Sequence, residues 1–217
     1  AFLKEHDISL AVAGIKGPRQ IVLSGDLAEV ERCKDQLKEQ SIRCVRLDVS
    51  HAFHSQHMQP MCDAFREVAS KIEYQKPQIK LLSNVTGEVI KDQQITADYW
   101  VDHILSAVNF ASCVKTIEAL GCDNYCEIGP DGALIGLAAH CVQSTDVDFV
   151  ASLHKDQTDW RALLHAVATL HVHGVAVDWY GYDKPYDRQK EQLPTYPFQR
   201  ERYWIETNHK TSQMFGE

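Results

Sequence analysis

The chain has 217 residues, room for one large domain or two small ones, and its 44% hydrophobic and 24% charged content is ordinary for a globular protein. A formal net charge of −8 with scattered basic residues argues against binding nucleic acid or an anionic membrane surface. No apolar run approaches the roughly 18–20 residues of a membrane span, and the opening residues lack the order of a signal peptide.

Cys33, Cys44, Cys62, Cys113, Cys122, Cys126 and Cys141 are odd in number and include no Cys-x-x-Cys pair. Cys122 and Cys126, four apart, are a poor zinc signal without a second pair. Their apolar contexts fit reduced, buried thiols, and the cytoplasm is the expected location.

In chain order, residues 1–6 read as the end of a helix, followed by strands over residues 8–15 and 20–24 separated at Gly17-Pro18. Asp26 is placed to cap a helix, with Glu29 at the capping-box position and Leu27, Val30 and Leu37 on one stripe. A third strand is expected over residues 43–49, where side chains alternate. The ββαβ order reads as a ferredoxin-like α+β small subdomain, residues 1–50, truncated at its start.

Residues 51–155 change rhythm. A helix is expected over 57–71, with Met58, Met61, Phe65 and Val68 on one face, then a strand over 80–85 and a turn at Thr86-Gly87. A helix over 99–120 should end on Gly121, and a strand over 124–128 runs into Gly129-Pro130-Asp131-Gly132. A helix over 133–141 and a strand over 149–153 complete the series. Strands alternating with helices imply a parallel sheet of the α/β class.

The remainder, residues 156–217, begins with an amphipathic helix over 159–174 carrying Trp160, Leu163, Leu164, Val167 and Leu170. A polar linker is expected over 180–192, an extended segment over 193–204 because Pro194 and Pro197 exclude helix, and a frayed tail over 207–217.

The stretch Val49-Ser50-His51-Ala52-Phe53-His54-Ser55 carries the most chemistry. It is a strand end running into a helix start, where α/β proteins present catalytic side chains. A histidine there suits a general base, since its ordinary pKa lies near neutral. With His57 the region also reads His-x-x-His-x-x-His, so a metal site is a rival, although no neighbouring carboxylate or cysteine completes a set. A purely structural role for His51 or His54 is the third reading. The turn at 129–132 lacks the spacing and lysine of a phosphate loop. Asp48, Glu127 and Asp131 could orient a histidine but are expected rather to cap or face solvent, and His171 and His173 to pack or lie at the surface.

Ser-His-Ala-Phe-His-Ser at 50–55, Ser-Asn-Val-Thr-Gly-Glu at 83–88, Tyr-Trp-Val-Asp-His-Ile at 99–104, Tyr-Cys-Glu-Ile-Gly-Pro-Asp-Gly-Ala-Leu at 125–134 and the aromatic segment 193–204 follow one another in order. Together they resemble the acyltransferase domains of type I modular polyketide synthases, malonyl-CoA:acyl carrier protein transacylase-like, over nearly the whole chain. The resemblance implies a partial α/β-hydrolase-like parallel-sheet core with the small ferredoxin-like subdomain and an extended C-terminal linker. It implies that a malonyl unit passes from malonyl-CoA to a serine, then to the phosphopantetheine thiol of an acyl carrier protein, with no tightly bound cofactor. Under it His54 is the general base and acid, and the backbone carbonyl of His103 orients the imidazole. His51 and Phe53 belong to the selectivity motif for malonyl over methylmalonyl units, with Phe53 filling the space of the extra methyl. The implied partners are the carrier protein, the ketosynthase and linker of the same synthase, and the missing N-terminal acyltransferase part.

Against this pattern, no Gly-x-Ser-x-Gly elbow occurs anywhere in the 217 residues. The nucleophile is therefore expected from outside this chain, as is the arginine that follows the elbow in the family. Lys16 stands where the family commonly has asparagine, and Gln56 and Ala107 where it has proline. Three functional readings follow: part of a malonyl acyltransferase, silent on its own; an inactive structural or docking remnant; and a stand-alone serine hydrolase. A sheet without its opening strands should also expose an edge and an apolar face, and so associate.

Overall fold

In a computed structural model, which describes residues 2–91 and 94–204, a short helix α1 (Phe2–Glu5) leads into two antiparallel strands, β1 (Leu10–Gly17) and β2 (Gln20–Gly25). Pairing runs from Leu10↔Gly25 to Gly17↔Gln20, so Pro18-Arg19 forms the hairpin tip. That is where a proline costs no ladder bond. Helix α2 (Leu27–Glu39) starts as expected on Asp26, whose carboxylate accepts from the Ala28 amide at 2.9 Å. Glu29 is not spent on a capping box. Its carboxylate accepts from the Ser9 amide at 3.0 Å and pairs with Arg32 at 2.9 Å, tying α2 to the chain entering β1.

The expected strand over residues 43–49 does not form: the segment carries no ladder, and Val45, Leu47 and Val49 are 70%, 51% and 61% exposed. The reason lies in β1. Its edge away from β2 is engaged by Val108, whose amide donates to the Ala13 carbonyl and whose carbonyl accepts from the Ile15 amide, both at 2.9 Å. A strand is a relation between chains of backbone, and on the β1 side the edge residues 43–49 could join is already taken.

Val108 also breaks the expected helix over 99–120. Two helices stand there, α4 (Ala97–Leu105) and α5 (Phe110–Ala119), separated by the residues that pair with β1. Helix α5 stops where expected: Gly121 takes φ 79, the left-handed conformation that suits glycine just past a helix end. The helix expected over 57–71 is a 3-10 helix, Gln56–Met61, followed by α3 (Cys62–Ala69). The 3-10 stretch contains Pro60, which cannot donate to a helical ladder.

The strand expected over residues 80–85 is also replaced. The chain folds back on itself through one Leu82↔Val89 bridge, with the Ser83 amide on the Glu88 carbonyl at 2.8 Å and the Gly87 amide on the Ser83 carbonyl at 2.7 Å. Gly87 sits at φ 78, and a Cβ there would lie 2.4 Å from Ser112 Cβ, so glycine is required both by backbone and by space.

A parallel pair follows, β3 (Asn124–Glu127) and β4 (Asp148–Ala151), in register Asn124↔Asp148 to Glu127↔Ala151, joined through α6 (Ala133–Ala139). Glu127 closes the crossover: its carboxylate accepts from the Ile135 amide at 2.8 Å, in the first turn of α6. Ala111, Val114, Tyr125, Ala138 and Cys141 are buried together between these elements, with Tyr125 stacked on Phe149 at 5.1 Å. The arrangement is α/β, but among the described residues its parallel sheet has two strands.

Helix α7 (Asp159–Val172) packs Ala162 and Ala166 inward, while Trp160, Leu163 and Leu164 remain partly exposed. Just beyond it His173 Nδ1 lies 2.6 Å from an Asp148 carboxylate oxygen, which pins the end of α7 to the start of β4. These residues belong to one compact unit, Ala1–Val177; Asp178–Glu217 form a second. In the second, a helix α8 (Trp179–Asp183) replaces the start of the expected linker, with Asp178 accepting from the Gly181 amide at 2.8 Å. Arg188 lies over the Tyr186 ring at 4.3 Å and pairs with Asp183 at 2.7 Å. Residues 193–204 carry no helix or strand, as their prolines require, and Leu193, Tyr196, Phe198, Tyr203 and Trp204 are exposed. The tail expected over 207–217 lies outside the described residues. Among the described residues no helix is long and apolar enough to cross a membrane.

Candidate active site

The site is built where two chain reversals meet. The first is Ser50–Ser55, which leads into the 3-10 helix. The Phe53 amide donates to the His51 carbonyl at 3.0 Å, and His54 takes φ 56, a left-handed backbone uncommon for a residue with a side chain. The second is the C-terminal end of α4. The His103 carbonyl is among the last four of its helix, which have no amide one turn ahead to accept from.

His54 takes up that carbonyl. Its Nδ1 lies 3.2 Å from the His103 oxygen, so Nδ1 carries the proton and donates. Nε2 is then left as an acceptor, and no hydrogen bond to it appears among the described residues.

The His103 side chain does a different job. Its ring lies 6.0 Å from the His54 ring, 5.8 Å from Trp100 and 6.2 Å from Tyr99. Burial among these rings lowers its pKa below the usual histidine value, with the nearby His54 charge adding in the same direction. Tyr99 in turn donates to the buried Ser83 hydroxyl at 3.0 Å. The Ser83–Gly87 loop is therefore tied to α4 just beside His103.

His51 and Phe53 lie together at the rim, with ring centroids 5.8 Å apart, and both are exposed. His51 Nδ1 is engaged by the Ser50 hydroxyl at 2.9 Å. His51, His54 and His57 do not converge, and among the described residues no three His, Cys, Asp or Glu side chains come together to hold a metal ion. Lys16 is half-buried near the end of β1, where its carbonyl accepts from Cys141 Sγ at 3.5 Å. Gln56 opens the 3-10 helix, and Ala107 sits in the break between α4 and α5, both places that accept proline.

Two residues escaped the sequence reading. Ser55 is 3% exposed and caps the 3-10 helix by accepting from the His57 amide at 3.3 Å; a serine just before a helix is a signal of that role. Val108 carries no local signal, because its partners lie in β1.

With this geometry in hand, the comparison with known proteins is direct. Residues 3–177 match the family described as the acyl transferase domain. The chain belongs to that family. Among curated relatives of this acyl transferase domain, polyketide synthase GfsA of Streptomyces halstedii is 37% identical over 200 residues, covering 91% of this chain and 3% of that protein. Among solved structures, the acyltransferase domain from the second module of the salinomycin polyketide synthase is 39% identical with a TM-score of 0.82, covering 90% of this chain and 46% of that one. Malonyl-CoA:acyl carrier protein transacylase from Xanthomonas oryzae pv. oryzae is 26% identical with a TM-score of 0.63, covering 72% of this chain and 49% of that one. The chain thus spans less than half of either solved acyl transferase and a small part of the synthase. The resemblance to type I modular polyketide synthase acyltransferases, carried by the ordered motifs, holds.

Proposed function

We propose that this chain supplies the histidine-bearing part of an acyltransferase site that moves a malonyl unit from coenzyme A to an acyl carrier protein within a polyketide synthase. The observation that carries this reading is the His54 Nδ1 contact with the His103 carbonyl at 3.2 Å, which leaves Nε2 free to accept a proton. Likeness to a malonyl-CoA:acyl carrier protein transacylase supports the choice of substrate.

In this reading His54 Nε2 takes the proton of a serine hydroxyl as the serine oxygen attacks the thioester carbonyl of malonyl-CoA. The carbonyl–sulfur bond breaks, and the imidazolium returns the proton to the departing thiolate. The phosphopantetheine thiol of the carrier protein then gives its proton to Nε2 and attacks the acyl-serine ester. The serine oxygen leaves with the proton from the ring, and the malonyl group is on the carrier. No Gly-x-Ser-x-Gly elbow occurs in these 217 residues, so the serine and its oxyanion donors come from polypeptide outside them, and the chain by itself is silent. The ketosynthase and its linker are the expected neighbours of residues 193–204. The small unit around β1 and β2 and the β3–α6–β4 crossover correspond to the ferredoxin-like and hydrolase-like parts of such a domain.

Phe53, 47% exposed beside His51, narrows the acyl pocket against a branched extender. One methyl in an apolar pocket is worth about 1–3 kcal/mol, a preference of roughly 10- to 200-fold.

The absent elbow also favours a second reading, an inactive remnant that spaces neighbouring domains. One experiment separates them. The natural-length protein is mixed with malonyl-CoA and a holo carrier protein, and the intact mass of the carrier is followed. A malonyl adduct that disappears in His54→Asn supports transfer. A carrier that never gains mass leaves the scaffold.

A further inference from the structure

We propose that the Ser55 hydroxyl is a positioning group that holds the His54 ring on the His103 carbonyl. Ser55 is one of two buried polar side chains among the described residues, 3% exposed, and its hydroxyl works in two directions. It donates to the Ala52 carbonyl at 2.6 Å and accepts from the His57 amide at 3.3 Å. The first bond closes a loop that contains only Phe53 and His54. The second locks that loop to the 3-10 helix, whose next backbone bond runs from the Met58 amide to the Ser55 carbonyl at 3.1 Å.

His54 is the residue that needs such a clamp. Its φ of 56 is unfavourable for a side chain with a Cβ, so an unclamped turn relaxes toward right-handed or extended backbone. That relaxation swings the Cα–Cβ bond and lifts Nδ1 away from the carbonyl 3.2 Å distant. The rest of the turn offers little to resist it. The Phe53 amide bond to the His51 carbonyl lies before His54, and Phe53 and His51 are exposed. The consequence for catalysis rests on the reading of His54 as the proton relay; the geometric effect on the ring does not.

The test follows the ring directly. In the natural-length protein, labelled with nitrogen-15, the His54 ring nitrogens report which one is protonated. Native protein should show a single Nδ1–H tautomer. Ser55→Ala, and Ser55→Cys, of similar size but with a poor donor, should shift it toward a tautomer mixture, with kcat for acyl transfer falling roughly 10- to 100-fold and KM little changed. Val114→Ala, a buried core substitution on α5, serves as the control: it should lower stability and leave the His54 tautomer intact. If both Ser55 variants keep the native Nδ1–H signal, the hydroxyl is only a helix cap and the proposal is overturned. A shifted tautomer in a protein that transfers no malonyl group sustains the clamp and removes the enzymatic reading instead.

Discussion

The His54 imidazole and the His103 main-chain oxygen meet at 3.2 Å across 49 residues of sequence. The contact uses the backbone of His103 and not its ring. His103→Gln is therefore expected to keep acyl-transfer kcat/KM within about 10-fold of native, because the carbonyl is still unspent at the end of α4. Steady-state kinetics on the two proteins checks this.

Ring burial gives His103 a further consequence. Its pKa is lowered in the fold, chiefly by desolvation and then by His54, so the folded protein binds this proton less well than the unfolded chain does. Its contribution to stability is present above the unfolded value near 6.5 and is lost as pH falls through the depressed folded value. Urea midpoints measured from pH 7.5 to pH 5 should fall for native protein, and the part due to this ring should vanish in His103→Gln.

Val108 ties β1 to the segment that follows α4. Val108→Pro removes the amide that donates to Ala13 and leaves that carbonyl unpaired, a loss of about 2 kcal/mol. It also loosens the segment just past α4, whose last residue, Leu105, lies two residues after His103. Chemical denaturation should register the stability loss, and acyl transfer should fall with it at a temperature where the variant is still folded.

The difference between what the residues announce and what they form is clearest around Val108. Asp26, Gly121 and the prolines of 193–204 act on their immediate neighbours, and each does what local chemistry demands. The break between α4 and α5 was invisible, since apolar spacing continues from Tyr99 to Leu120 while Val108 bonds to a strand more than ninety residues earlier. Residues 43–49 alternate like a strand yet carry no ladder, and 80–85 make a single bridge at Leu82, because alternation alone makes no ladder. For the site, His54 stood out as a candidate base beside metal-ligand and structural readings, although the strand expected to lead into it does not form. The His103 carbonyl that His54 meets was expected only through the family motifs, because a free carbonyl leaves no trace in a side chain. Ser55 was missed although a serine just before a helix is a cap signal, and its bond to Ala52 depends on the left-handed turn between them.

Gly87→Ala tests the loop that carries Ser83. The new methyl would meet Ser112 Cβ at 2.4 Å on a backbone at φ 78, and the expected loss is about 3 kcal/mol. Thermal melting should show it as a clear drop in midpoint.

The central claim is that the His54 ring relays the proton, and His54→Asn tests it most directly. Asparagine tolerates the left-handed backbone that His54 adopts at φ 56, so the turn should survive without its imidazole. Single-turnover rates of malonyl transfer to a holo carrier protein, in natural-length protein matched to native by circular dichroism, are predicted to fall roughly 100- to 10,000-fold. A folded His54→Asn protein that transfers malonyl at the native rate would contradict the account.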